Sequence, residues 1–233
     1  MSILLERGQR GIIIGQTGSG KTIGAIWHMQ HVPVTPIVIM DTKDEPAFDK
    51  IGIDEDTVVY NSLEDFEKEW FKKKRQPIYS IVRPDPAEIS EPLEMDGTLF
   101  KMVQGGRGCF LYIDEAYQWH VQGRAGAGLT GILTRGRSKG ITTLLSTQRP
   151  AWLSRFCFSE AQKFYIYRLT DKRDHKTIGE YIPDFEKEKL AKRFQWYYYN
   201  VIDGELSLYS PVKILEKPDR PAISVSTNKR EWL

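Results

Sequence analysis

Gly11-Ile12-Ile13-Ile14-Gly15-Gln16-Thr17-Gly18-Ser19-Gly20-Lys21-Thr22 is the stretch that decides the fold. A short apolar run is broken by a glycine-rich turn, after which apolar residues recur at helical spacing through Ile26 and Met29. Strand, glycine turn, helix is the reading. The turn matches the pattern G-x-x-x-x-G-K-[ST], in which close-wrapped backbone N–H groups and the positive end of the following helix meet phosphate oxygens. The lysine then neutralises the β- and γ-phosphates and the following hydroxyl ligates Mg²⁺. Gly15, Gln16, Thr17, Gly18, Ser19, Gly20, Lys21 and Thr22 are therefore the expected nucleotide-binding residues, with ATP and Mg²⁺ as ligands. The alternative is a glycine turn closing an ordinary strand–helix unit. It leaves both the full pattern and its context to chance.

Outward from this turn, further strands are expected at residues 36–41, 57–60, 78–82, 108–113, 140–146 and 163–168, each short, apolar and rich in β-branched or aromatic residues. Helical patterns fall between them at 63–74 and 96–103. Strands alternating with helices predict an α/β fold with a mostly parallel central sheet flanked by helices. Residues 194–201 and 205–209 flank Asp203-Gly204, a turn signal that predicts a C-terminal β-hairpin, and the last dozen residues read as a loose polar tail. The expected organisation is one domain over 1–233, with a core at about 8–180 and the hairpin and tail at about 181–233.

The strand at 108–113 runs into Asp114-Glu115. Hydrolysis needs a carboxylate to orient the metal and a base to polarise water, so Asp114 is expected in the Mg²⁺ shell and Glu115 facing the γ-phosphate, the strand's end lying beside the phosphate loop. An acidic pair capping a helix that starts at Ala116 is the alternative.

Composition restricts the partners. Among 233 residues, 33 Lys and Arg nearly balance 31 Asp and Glu, giving a net charge of +2. No global basic field exists, so any nucleic-acid contact has to come from a local patch. No apolar run reaches the roughly 20 residues that span a bilayer, and no signal-peptide core is visible. A cytoplasmic protein without a direct membrane span is expected. Cys109 and Cys157 read as reduced thiols, and the four histidines are too scattered to suggest a metal site.

A third constellation is Gly136-Arg137-Ser138-Lys139-Gly140, an apolar strand, then Ser146-Thr147-Gln148-Arg149-Pro150. It resembles the FtsK/HerA superfamily of ring-forming P-loop ATPases with a RecA/FtsK-like fold, as does Asp41-Thr42-Lys43-Asp44-Glu45 after the second strand. The resemblance spans residues 11 to 178. It implies that Gln148 is a polar sensor at a strand tip, and that Arg137 or Arg135 is a finger reaching a neighbour's nucleotide. The implied activity is ATP-driven translocation of double-stranded DNA by an oligomeric ring, a hexamer or a pentamer. With a phosphate loop at residue 15 and about thirty residues after the hairpin strand, the chain is most like the minimal genome-packaging ATPases of internal-membrane phages and archaeal viruses. That likeness implies a procapsid portal or vertex protein as partner, work in the host cytoplasm or at a virion vertex, and no DNA-cutting domain. A morphogenesis or secretion ATPase like those of zonular-occludens and filamentous-phage assembly is the second reading, and a small-molecule kinase the third. The kinase leaves Gln148-Arg149-Pro150 and Asp41-Thr42-Lys43 unexplained.

Weaker features are the basic run Lys72-Lys73-Lys74-Arg75, the glycine-rich loop at 122–128 carrying Arg124, and Trp196-Tyr197-Tyr198-Tyr199. The basic run reads first as a solvated helix end and second as a phosphate contact. The loop reads equally as a surface connection or a channel lining. The aromatic run reads as sheet packing before base stacking.

Overall fold

The computed structural model describes residues 2–51, 57–185, 193–215 and 223–225. In chain order the elements are β1 (Arg10–Ile14), α1 (Lys21–His31), β2 (Ile37–Met40), β3 (Thr57–Tyr60), α2 (Leu63–Trp70), β4 (Tyr79–Val82), α3 (Pro86–Ser90), α4 (Pro92–Gly105), β5 (Cys109–Ile113), β6 (His120–Val121), β7 (Arg124–Ala125), α5 (Ala127–Arg135), β8 (Ile141–Thr147), α6 (Arg155–Glu160), β9 (Lys163–Ile166), α7 (Lys172–Gly179), β10 (Trp196–Asn200), β11 (Glu205–Tyr209) and β12 (Ile223–Val225). Ten strands form one sheet in the order β11-β10-β9-β1-β8-β5-β2-β4-β3-β12. From β9 to β12 all pairings are parallel; β10 runs antiparallel to β9 and β11. This is the α/β architecture that the alternating pattern predicts.

The central strands are buried at every position, as expected of a sheet covered on both faces. Side chains alternate between the faces. Ile12, Ile14, Val38, Met40, Leu111, Ile113 and Leu145 share one core with Phe66 of α2, Leu99 of α4 and Ile132 of α5. Ile13, Ile37, Ile39, Phe110, Tyr112 and Leu144 pack on the other face with Ala25, Ile26 and Met29 of α1. Both cysteines are free and buried, and burial pushes each thiol up to about 12.

β8 lies between β1 and β5, so the strand carrying Asp114 is one strand removed from the phosphate-loop strand, and its end still lies beside the loop. Several expectations are corrected. The expected helix at 63–74 stops at Trp70, where the Arg107 guanidinium donates to the carbonyls of Trp70 (3.0 Å) and Phe71 (2.9 Å). Lys72 to Arg75 therefore form a turn beyond the helix. The glycine-rich loop is a built element: β6 and β7 pair around Gln122-Gly123, both at positive φ, and Asp96 then accepts the N–H groups of Gly128 and Leu129 at 2.8 Å, starting α5. Part of the expected loose tail is strand β12, paired with β3. The hairpin forms as expected, but β10 also pairs with β9 and so extends the main sheet.

His28 of α1 is fully buried. Its Nε2 accepts the Leu5 N–H at 3.1 Å and its ring meets Tyr165 edge-on at 4.9 Å. Burial, then the nearby Lys163 and His31, push it from 6.5 down to about 3. Between those two values the unfolded chain binds a proton at residue 28 that the folded chain does not. The stability this group contributes is therefore complete above the upper value and lost as pH falls through the window. Urea unfolding at pH 7 and pH 5 checks this: the wild type is expected to lose about 2 kcal/mol more than His28→Gln, which keeps an acceptor for Leu5. Equal losses would mean that His28 titrates normally.

Candidate active site

The phosphate loop leaves β1 at the C-terminal edge of the parallel strands and is tied to both neighbours. Gly15 N–H donates to the Thr147 carbonyl (3.2 Å), Gln16 N–H to Arg168 (3.1 Å), and Ser19 N–H closes the turn on Gln16 (3.1 Å). Gly18 and Gly20 hold φ of 74° and 99°, where a side chain would be strained. α1 then starts at Lys21 with no side-chain cap and no acidic residue in its first turn, so its end is electropositive and free for an anion. The buried Ser19 hydroxyl and Gln16 Oε1 lack a hydrogen-bond partner. A glycine cradle, an uncapped helix and an orphan hydroxyl together fit a polyphosphate.

Lys21 is buried, although lysine seldom is. Its Nζ donates to Ser146 Oγ (2.7 Å) and lies 3.6 Å from Asp114 Oδ1 and 3.8 Å from Glu115 Oε1. Asp114 Oδ1 also accepts the hydroxyls of Ser146 and Tyr112, each at 3.0 Å. Burial beside that carboxylate raises the Tyr112 phenol well above its usual range, so it stays a donor. Glu115 is fully buried at a φ of 41°, a left-handed conformation uncommon for glutamate. Its Oε2 accepts the Gln148 N–H at 3.2 Å and its Oε1 accepts from Lys43 Nζ. The Gln148 side chain closes the circuit by accepting the Thr17 hydroxyl at 2.6 Å. Strand order produces this convergence: β1, β8 and β5 end side by side, delivering the loop, Ser146 to Gln148, and Asp114-Glu115. Thr22 sits half-buried on the first turn of α1.

Arg83 escapes a reading by spacing alone, whereas Asp41 and Lys43 lie in a stretch that the sequence singles out. Asp41, at the end of β2, accepts the N–H of Lys43 (3.2 Å) and of Glu45 (2.9 Å). Arg83, following β4, binds Asp41 (3.2 Å), Asp44 (2.7 Å) and Asp49 (2.8 Å). This clamp fixes the loop that delivers Lys43 to Glu115. Burial pushes Asp41 up to about 6 even though Arg83 and the two N–H groups oppose it. Arg149 is turned away from the site, held by Asp171 (2.9 Å) and Asp174 (3.1 Å) over the Trp152 ring.

Arg135 and Arg137 are exposed and precede β8, whereas Gln148 follows it. Seven strand residues put them about 20 Å from their own phosphate loop, at the opposite edge of the sheet. The structure does not bring them to the site within one chain.

The sequence pattern of the zonular occludens toxin (Zot) family matches residues 11–179, and the chain belongs to that family. It is 31% identical over 216 residues to the DNA packaging ATPase P9 of Enterobacteria phage PRD1, covering 88% of this chain and 87% of that one. In fold it is similar to the genome packaging NTPase B204 of Sulfolobus turreted icosahedral virus 2. The complex with AMPPCP gives a TM-score of 0.63 at 20% identity over 88% of this chain and 98% of the other. The complex with AMP gives 0.65 at 19% identity over 91% and 100%.

Lys21→Ala is expected to abolish ATP binding in calorimetry and to lower the melting temperature, because Asp114 and Glu115 lose the buried cation they share. Adding Asp114→Asn should recover part of the melting temperature but none of the binding. Recovered binding in the double variant would remove Lys21 from the phosphate contacts.

Proposed function

We propose that this chain is an ATP-driven double-stranded DNA translocase that packages a viral genome as an oligomeric ring. What carries the proposal is the convergence of residues 15–22, Asp114, Glu115 and Gln148 at one sheet edge, in a chain 31% identical over 88% of its length to a DNA packaging ATPase. ATP fits the cradle, and Asp114 with Thr22 fits a Mg²⁺ shell. The bound metal supplies charge neutralisation on the β- and γ-phosphates. Lys21 then serves the phosphates, and Glu115 accepts a proton from the attacking water. Gln148, tied to the loop through Thr17 and to Glu115 through its backbone, reports the phosphate state to the base.

The charge distribution supports a DNA partner. At the catalytic edge the carboxylates Asp41, Asp44, Asp49, Asp114, Glu115 and Asp171 are paired with Lys21, Lys43, Arg83 and Arg149. At the other edge Lys74, Arg75 and Arg107 line an open groove of about 520 Å³ with Thr35 and Pro36. A local basic patch of this kind suits a phosphate backbone, which the +2 net charge alone would not attract. Arg135 and Arg137 lie farther along that same edge, before β8, so a role at a nucleotide requires a second subunit. Head-to-tail packing in a closed ring meets that requirement. A hexamer or a pentamer docked on a procapsid portal or vertex protein in the host cytoplasm is the corresponding assembly. The family match to Zot favours a second reading, a morphogenesis or secretion ATPase. Among the described residues no helix is long and apolar enough to cross a membrane.

Double-stranded DNA is expected to stimulate ATP turnover without sequence preference, and the stimulation should weaken as salt rises. Lys74→Ala with Arg75→Ala should reduce the salt slope of DNA binding by about two. Absence of any DNA stimulation would favour the morphogenesis reading.

Arg137→Ala is expected to bind ATP but turn it over ~10³–10⁵-fold more slowly. Mixed with Glu115→Gln subunits, it should regain hydrolysis that neither variant shows alone, because an intact arginine on one subunit completes its neighbour's site. If mixed rings form and only Arg135→Ala is rescued, Arg135 is the finger; if neither is rescued, the arginine does not act between subunits.

A further inference from the structure

Phe194 has the backbone of a residue held in place against its preference. Its φ is 66°, a left-handed value that a bulky aromatic residue rarely adopts, and the residue remains 39% exposed. The next residues of the chain enter β10, where Trp196 to Tyr199 are all buried. Phe194 is thus the point at which an aromatic run leaves the core, and its ring is set against the phosphate loop. A Cβ added to Gly20 would come 3.1 Å from Phe194 Cδ1. Gly20 immediately precedes Lys21, so the ring borders the uncapped end of α1. Ile23, on the first turn of the same helix, is also exposed, at 37%. The planar guanidinium of Arg193 lies 4.6 Å from the centre of the Phe194 ring, so the ring accepts a flat group.

Strain kept by an exposed aromatic residue at the rim of a ligand cradle calls for a use. Residues 15–22 hold a polyphosphate and provide nothing flat for the remainder of a nucleotide. We propose that Phe194 is the platform on which the base of the bound nucleoside triphosphate stacks, in the place that the Arg193 guanidinium takes in this structure, with Ile23 as the apolar group beside it. The proposal rests on the nucleotide reading of residues 15–22. Because every base has a π-face, a stacking platform strengthens binding with little preference among bases.

The test compares ATP with inorganic tripolyphosphate, which shares the phosphates and lacks the base. Phe194→Asn is the informative variant, because asparagine tolerates a left-handed backbone and should melt at or above the wild-type temperature. Its ATP affinity is expected to fall about 5- to 150-fold, while tripolyphosphate binds as it does to wild type. Phe194→Trp should keep ATP affinity, and its added fluorescence should change with ATP and with GTP but not with tripolyphosphate. Equal losses for ATP and tripolyphosphate would make Phe194 a support of the phosphate loop and overturn the proposal, as would unchanged ATP affinity in Phe194→Asn. Failure of the underlying reading looks different: wild-type protein would then bind neither ATP nor tripolyphosphate.

Discussion

The buried ammonium of Lys21 is the contact on which the rest of the site depends. Asp114 and Glu115 are adjacent carboxylates taken out of water at the end of a fully buried strand, and such groups stay ionised only when paired. Lys21 is within 4 Å of both, and Lys43 pairs with the same Glu115 oxygen, Oε1. Two cations against two carboxylates make the cluster neutral. For Lys21 to serve a phosphate, another positive charge has to take its place beside Asp114. In the proposed chemistry a phosphate contact by Lys21 and a cation held at Asp114 are therefore linked requirements.

What the sequence made legible was whatever lies contiguous in the chain. The phosphate loop could be read because strand, turn and helix follow one another, and Asp114-Glu115 because five apolar residues lead into them. Gln148 came only through resemblance, since its relation to Thr17 and Glu115 exists once β8 stands between β1 and β5. The Arg83 clamp was illegible for the same reason: Asp41 and Arg83 are 42 positions apart and meet because β4 pairs with β2. β6, β7 and β12 have two or three residues each, too few for a period to register. The early stop of α2 depends on Arg107, which reaches back 34 to 37 positions to cap it.

A mostly parallel sheet has two unlike edges, and this chain arranges its charges differently at each. Carboxylates and the cations paired with them meet where the strands end, in the loops that form the site. Among the described residues, cations without an ion-pair partner such as Lys74, Arg75, Arg135 and Arg137 lie where the strands begin. One subunit cannot fold back to bring its own basic edge to its own site across a rigid sheet. A contribution of Arg135 or Arg137 to a nucleotide site therefore requires a second copy of the chain.

The C-terminal hairpin has a physical task in this arrangement. Tyr167, directly after β9, packs so closely on α1 that its phenol occupies the space a side chain at Gly24 would need, and a Cβ on Gly15 would approach the Tyr167 Cβ to 2.6 Å. Trp196 of β10 stacks on Tyr167 at 6.0 Å and on Tyr209 of β11 at 4.7 Å. The hairpin thus braces Tyr167, and Tyr167 braces both ends of the phosphate loop. Gly24 weakens α1 as a helix former, and the close approach of Tyr167 accounts for it. The same stacking accounts for the aromatic run at 196–199, whose rings are committed to the sheet, leaving Phe194 as the aromatic group of this segment that faces the loop.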